Sequence, residues 1–470
     1  MKHTLSSRLI PKILTTLGIF YLLFHMLFLW MYTNIDGYFY WAIGQYFKTG
    51  IYPFIAPFLY SKPTTISPPL YGLFLSFIGS LPRGDMFLHA IHLMLMATTA
   101  FLLFRILSKI ISANSSAFIS FLFLIFPTNV IYTTSMMTEL PAQTAMTAYI
   151  FLIERFLKTR SVAPLAYALL LSAVMTLLKY QFIILFVVTT TALFWKLKQY
   201  TGPKRFPIFS AIIGTLIILL WIITNHSITG VWGLSDTKKM PFYTNFVWDG
   251  RHYPKESNPA VIALRPFVPS TVDRYGQYWD LQDYILPYTN RDWWVVDELL
   301  GNVGIAAIYE HPTEYLFNGI RIFFQTLTHR APWWHNIQTF ETTDPIQPLY
   351  CDHLGSIQFC QPVIKTSVSY PLWNAYVKTS RTLYDTFMPS IFLFLFLPSL
   401  IVTLVDTRRR IRFYSIMYLV NLVPISYLSM TESRYLIPYY PLMIIITVYG
   451  VKKIQATVSQ YYLSKPPIKK

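Results

Sequence analysis

The sequence predicts an all-α, polytopic membrane protein with about ten transmembrane helices, and three observations predict it. Hydrophobic residues make up 54% of the chain and charged residues 13%, for a mean hydropathy of +0.42; a water-soluble globule with a polar coat carries more charge than that. The apolar runs are continuous over roughly 17 to 25 residues, the length of a membrane-crossing helix, whereas barrel strands alternate over about ten. The third observation is how the formal charge of +17 is distributed. When the spans are placed as below, the cytoplasmic segments hold 21 of the 38 Lys and Arg but only Glu154 and Asp406 of the 21 acids. That is the positive-inside bias of a membrane protein, directed at anionic lipid, and it argues against a nucleic-acid partner.

Taken in order, Lys2, Arg8 and Lys12 hold the amino terminus inside, and a first span over 13–32 leads out to Asp36. No small-residue cleavage site follows this run, so it reads as a retained span. Residues 33–84 form the first outer loop. Its apolar stretch from Pro68-Pro69-Leu70-Tyr71 to Leu81 is short for a bilayer. If it crossed, the basic loop from Arg105 to Ser116 and nearly every later basic loop would invert. It is therefore expected to lie at the interface, as is the aromatic-rich stretch between Tyr38 and Phe58.

Further spans are expected at 85–105 and 117–134. Thr138-Glu139-Leu140-Pro141 marks the start of a fourth helix, which ends inside at Arg155, Lys158 and Arg160. Residues 163–178 rise to a turn at Lys179-Tyr180-Gln181, 182–195 descend to Lys196, Lys198, Lys204 and Arg205, and 206–224 lead out again. Residues 225–385 change character, with Asp, Glu, Arg, His, Pro and Trp at soluble-protein frequency, and form one extracytoplasmic domain of mixed structure. Spans at 386–405, 413–430 and 435–451 complete the chain, so that 1–224 is an N-terminal membrane module and 386–470 a C-terminal one with a Lys-rich cytoplasmic tail. No internal repeat stands out.

Cys351 and Cys360, the only cysteines, both fall in the outer domain, where an oxidising compartment allows a disulfide and two free buried thiols are the other reading. No glycine-rich phosphate loop or specific metal-ligand spacing occurs. His226, His252, His311, His329, His335 and His353 are scattered, as packed or surface histidines usually are. The sequence demands no cofactor.

The chemistry is expected from ionisable residues that gather at one interface: Asp36 after the first span, Lys62 in the first loop, Glu139 opening the fourth span, Lys179 between the fifth and sixth, and Arg434 before the last. Each has a plainer reading. Asp36 caps a helix or stands in water, Glu139 complements a helix dipole, Lys179 and Arg434 snorkel to lipid phosphate, and Lys62 is a solvated loop lysine.

The order of these features resembles the GT-C class of membrane glycosyltransferases, and within it the superfamily of protein O-mannosyltransferases and lipid A aminoarabinose transferases. The resemblance rests on Asp36-Gly37-Tyr38-Phe39-Tyr40, Gly50-Ile51-Tyr52, Lys62, Pro68-Pro69-Leu70-Tyr71, Thr138-Glu139-Leu140-Pro141 and Leu178-Lys179. His311-Pro312-Thr313-Glu314-Tyr315 and Arg434-Tyr435-Leu436-Ile437-Pro438 continue it, so that it spans most of the chain. It implies a GT-C-like fold and transfer of a sugar from a polyprenyl-phosphate carrier to a protein, lipid or glycan acceptor on the outer face. Asp36 would be the catalytic base, Glu139 a second catalytic acid, and Lys62, Lys179 and Arg434 the ligands of the donor phosphate. Some members place a second acid beside the first; here Gly37 follows Asp36, which leaves the need for a divalent metal open. A transporter or flippase for a lipid-linked sugar is the rival from another class, and a non-catalytic scaffold is a third reading. The ending Lys-Pro-Pro-Ile-Lys-Lys carries no clear eukaryotic retention signal and points to a prokaryotic plasma membrane.

Overall fold

The computed structural model describes residues 2–28, 35–51, 64–82, 84–159, 161–199, 204–276, 278–328, 385–428 and 433–463, with isolated positions 375, 379 and 382. No strand occurs among them. Among the described residues, six helical segments are long and apolar enough to cross a membrane: Met86–Leu107, Tyr180–Lys198, Arg205–Thr229, Asp385–Val405, Ile411–Leu428 and Leu436–Tyr461. They account for six of the ten expected spans.

The other four fall short for different reasons. Helix α1 (Lys2–Phe28) contains Pro11, and the apolar stretch among its described side chains is Leu9–Leu23, with positions 24 and 26–28 outside them. The third expected span is two pieces, α5 (Ala113–Leu124) and α6 (Pro127–Thr133), separated where Pro127 cannot donate to the helical ladder. Helix α7 (Glu139–Thr159) has the length, but Gln143, Thr144, Thr147 and Glu154 lower its hydropathy. All four are buried, because α7 packs against α4 (Gly84–Leu107), α8 (Val162–Leu178) and the segment Ser433–Tyr439. A helix enclosed by protein has no need of an apolar surface all round. At 17 residues, α8 is one of the shorter apolar helices.

Neighbours of α7 pair with several of its polar side chains. Thr144 Oγ1 meets Thr99 Oγ1 of α4 at 2.8 Å, and Gln143 Nε2 donates to the Ile437 carbonyl at 2.8 Å. Tyr149 Oη lies 2.7 Å from Thr189 Oγ1 of α9 (Ile183–Gln199). One continuous apolar core runs between these helices and includes Leu103, Met146, Leu169, Leu193, Tyr418 and Leu442.

Two short helices occupy the first loop. Helices α2 (Ile35–Thr49, 15 residues) and α3 (Pro69–Ile78, 10 residues) are about 22 and 15 Å long, shorter than a hydrocarbon core. They cross where Gly44 faces Gly72. A Cβ on Gly44 would lie 2.1 Å from the Gly72 carbonyl oxygen, and one on Gly72 would lie 2.4 Å from the Tyr40 carbonyl oxygen, so only glycine permits this approach.

After α10 (Arg205–Thr229) the described chain is a cluster of short helices. These are α11 (Met240–Phe242) continuing into a π-helical turn to Asp249, α12 (Pro259–Leu264), α13 (Tyr278–Ile285), α14 (Trp293–Glu310) and α15 (Pro312–Thr328). They have their own core of Tyr243, Phe246, Leu281, Trp293, Val296, Leu300 and Val303, and Phe39 of α2 is part of it. Where a mixed domain was expected, the regular secondary structure of the described residues is helical, joined by turns and irregular segments, with no strand among them. Asp297 organises the start of α11, accepting from the backbone N–H groups of Lys238 (3.1 Å), Lys239 (3.0 Å) and Met240 (2.7 Å). Later in the described chain, a helical stretch from 385 passes through a π-helical turn (Phe392–Phe396) into α16 (Leu397–Val405), and α17 (Arg409–Leu428) and α18 (Tyr440–Leu463) follow.

Candidate functional site

At one end of the bundle three chain segments meet around a buried ion pair. Glu139 opens α7 and Lys179 ends α8, whose last turn stops because Lys179 adopts an extended backbone (φ −148°, ψ 120°). Lys179 Nζ lies 2.8 Å from Glu139 Oε1, with the carboxylate side chain 1% exposed and the ammonium 11%. A pair taken this far out of water persists only if each charge compensates the other. Glu139 Oε2 is buried and has no hydrogen-bond partner among the described residues, so half of the carboxylate's acceptor capacity is unused.

Around the pair stand aromatic and hydroxyl groups from the first loop. Tyr40 Oη of α2 lies 3.1 Å from Thr138 Oγ1, one residue before Glu139. Tyr71 of α3 packs edge-on against Tyr40, with ring centroids 5.3 Å apart, and its hydroxyl lies 3.0 Å from His92 Nε2. The other His92 nitrogen lies 3.1 Å from the Thr133 carbonyl, so the ring is held from both sides. Burial pushes the Tyr71 phenol well above its ordinary value, and the nearby Tyr40 and the Glu139 charge push the same way. Tyr71 is therefore a neutral hydroxyl throughout the physiological range.

A second polar cluster clasps the loop that leads into α3. Thr65 N–H donates to Asp236 Oδ2 at 3.1 Å, and the Asp236 N–H donates back to Thr65 Oγ1 at 3.1 Å. The Thr65 hydroxyl donates to Asn225 Oδ1 at 2.5 Å, and the Thr65 carbonyl accepts from Tyr180 Oη at 3.1 Å and Ser235 Oγ at 3.2 Å. Burial raises Asp236 from 3.8 to about 6, against the hydrogen bonds from Thr64 and Thr65 that favour its charged form. Tyr180 follows Lys179 directly, so one turn serves both the clasp and the ion pair.

The structure thus brings Glu139 and Lys179 into direct contact. Asp36 lies in the first turn of α2, one helical turn before Tyr40. Arg434 lies in the 3-10 segment Ser433–Tyr439. That segment is docked on the same end of the bundle by the Gln143–Ile437 bond and by Gln181 Nε2 donating to Tyr439 Oη at 3.1 Å. Lys62, Cys351, Cys360, His329, His335 and His353 lie outside the described residues. No group of three or more His, Cys, Asp or Glu converges as a metal site would among the described residues.

Asp236, Thr65 and His92 are not singled out by the sequence, and Tyr71 stands out in it only as part of Pro68-Pro69-Leu70-Tyr71. His92 is an ionisable residue inside a span, and that alone marks it as a candidate. Asp236 falls seven residues after α10, in the stretch assigned to the outer domain, and its partner Thr65 is 171 residues away.

Comparison with known proteins finds no matching family model and no matching curated protein. Among solved structures the chain is similar to ArnT from Cupriavidus metallidurans bound to undecaprenyl phosphate. The identity is 11%, 97% of this chain and 81% of that one are covered, and the TM-score is 0.37. The apo state of the same protein matches at 10% identity over 93% and 76% of the two chains, with a TM-score of 0.34. A likeness this loose assigns no activity.

Proposed function

We propose that the protein is a GT-C-type membrane glycosyltransferase that moves a sugar from a polyprenyl-phosphate carrier to an acceptor hydroxyl at the Glu139 end of the bundle. In this reading the helices that fall short as isolated spans complete a ten-helix bundle, and the helical cluster from Met240 onward stands on the extracytoplasmic side. The observation that carries the proposal is the buried Glu139–Lys179 pair. It is built from the same end of the bundle as the helix bearing Asp36 and the segment bearing Arg434. A cation fixed in a water-poor site is what a departing phosphate requires.

The reaction needs few parts. The Asp36 carboxylate takes the acceptor's hydroxyl proton as that oxygen attacks the anomeric carbon. The bond from the anomeric carbon to the carrier phosphate oxygen breaks, its electron pair leaves with the polyprenyl phosphate, and the anomeric centre inverts. A phosphate leaving group needs little protonation, so Lys179 acts as a point charge and Arg434 as a two-pronged ligand for the charge that develops. Glu139 holds Lys179 in place. Tyr40, Tyr71 and Thr138 fix the α2–α7 contact from which Asp36 is presented.

The test is Asp36→Asn in the purified full-length protein, supplied with a labelled polyprenyl-phosphate sugar and a mixture of acceptors. Transfer is expected to fall at least about 100-fold, the scale of a lost general base, with donor binding retained. Full activity in the variant would remove Asp36 as the base. Carriage of the donor across a vesicle membrane without any transfer would favour a flippase.

A further inference from the structure

The opposite end of the bundle holds a cavity that the proposed reaction does not use. Glu154 lies on α7 about 22 Å from Glu139 along the helix axis, and the cavity opens beside it. Its volume is about 390 Å³, and its lining is Lys109, Ile110, Arg408, Tyr449, Lys452, Lys453 and Ala456. Lys109 comes from the α4–α5 turn, Arg408 from the α16–α17 turn, and the rest of the basic wall from two successive lysines of α18. Four cations from three separate parts of the chain therefore face one space.

Two carboxylates balance part of this charge. Asp406 is held by Arg408 through two contacts of 3.0 Å, and Lys453 Nζ stands 3.4 Å from the same carboxylate. The Arg408 guanidinium keeps the Asp406 carboxyl well below its usual range, so its charge is committed. Glu154, fully buried, lies 3.8 Å from Lys109 Nζ and accepts from Tyr414 Oη. Lys452 donates to the Ile110 carbonyl at 2.5 Å and makes no ion pair among the described residues. The wall thus has more positive charge than its own carboxylates neutralise. Gathering like charges around one cavity is unfavourable unless an anion enters it.

We propose that this cavity binds a phosphate-bearing anion between the α4–α5 turn and α18. Its size suits a headgroup rather than a bare ion. The surface beside it is apolar and exposed at Ile401, Val405, Ile454 and Val458, as expected where acyl chains lie. A lipid headgroup phosphate and a soluble phosphate share the recognition chemistry, and both would be held by charge-assisted bonds from Lys452, Lys453 and Lys109.

The experiment is native mass spectrometry of the full-length protein, purified in neutral detergent and stripped of lipid. It is offered phosphatidylglycerol or phosphatidylcholine with the same acyl chains, each with and without millimolar inorganic phosphate. Phosphatidylglycerol is expected to be retained in preference to phosphatidylcholine, and Lys452→Gln with Lys453→Gln is expected to weaken retention about tenfold or more, as loss of charge-assisted contacts would. Persistence of the bound lipid in phosphate identifies a lipid as the ligand; displacement by phosphate, with phosphate itself protected from exchange, identifies a soluble anion in the same site. Lys452→Arg keeps the charge and should keep binding, and Lys453→Gln alone changes a side chain that is 44% exposed, so neither depends on refolding the core. Equal retention of the two lipids, or unchanged binding in the double variant, with no phosphate bound in either case, would overturn the proposal.

Discussion

At the scale of single residues, the Glu139–Lys179 pair makes a statement about stability and about chemistry at once. Replacing Lys179 by Met strands a carboxylate that is 1% exposed, and loss of one partner from a buried pair costs about 3–5 kcal/mol. A markedly lower thermal midpoint is expected for Lys179→Met. Adding Glu139→Gln should recover most of it, because the stranded charge is gone. Transfer should stay absent in the double variant if Lys179 also holds the leaving phosphate, whereas recovery of transfer together with stability would make the pair purely structural. Asp236 gives a second expectation at this scale. Its carboxyl is raised to about 6 by burial, so between about pH 4 and 6 the folded chain keeps a proton that the unfolded chain releases. Its contribution to stability is fully present below about 4 and is lost as pH rises through 6, on the order of 3 kcal/mol. Thermal unfolding in detergent should show that slope in the natural protein, and Asp236→Asn should flatten it.

Among the elements, α2 and α3 show how the first loop is held without spanning the membrane. Their crossing depends on Gly44 and Gly72, and a methyl group on Gly44 would meet backbone, which cannot move aside as a flexible side chain can. Gly44→Ala should lower stability by about 1–3 kcal/mol, the usual cost of overpacking. It should also reduce transfer beyond that loss, because α2 carries Asp36 and Tyr40 together. Transfer that falls only in proportion to folded protein would show that the crossing does not position α2. Helix α7 illustrates a different point: its polar residues disqualify it by hydropathy, yet they make the hydrogen bonds that fix α4, α9 and the Ser433–Tyr439 segment around it.

For the whole molecule, the proposed reading makes the charge asymmetry an expectation about orientation, with the Lys109–Lys453 end inside and the Glu139 end outside. With Cys351 and Cys360 replaced by Ser, a cysteine at Tyr309, which is 82% exposed, should react with an impermeant thiol reagent applied from outside. A cysteine at the exposed position Thr457 should react only after the membrane is opened. The reverse pattern would invert the protein and place the proposed reaction on the cytoplasmic face.

Much of this architecture is legible in the chain itself, because hydropathy, charge and helix signals are local. The apolar runs at 85–105, 206–224 and 435–451 each correspond to a long apolar helix, α7 begins at Glu139 where Thr138 and Pro141 signal a start, and the turn after Leu178 falls at Lys179. Asp36, Glu139, Lys179 and Arg434 stand out because ionisable residues are costly at the edge of an apolar run. Which of them meet is another matter. Glu139 and Lys179 are 40 residues apart, Thr65 and Asp236 are 171 apart, and Gln143 reaches Ile437 across 294. A local pattern says whether a residue lies at the end of a helix but not which helix packs beside it, since that depends on side-chain shape and buried hydrogen bonding across the bundle. The sequence by itself therefore determined the class of protein, the ends of several of its helices, Glu139 and Lys179 among them, and the uneven distribution of charge along the chain. Only the tertiary structure decided that one carboxylate is spent on Lys179, that Asp236 clasps the first loop, and that four cations from three separate parts of the chain line one cavity.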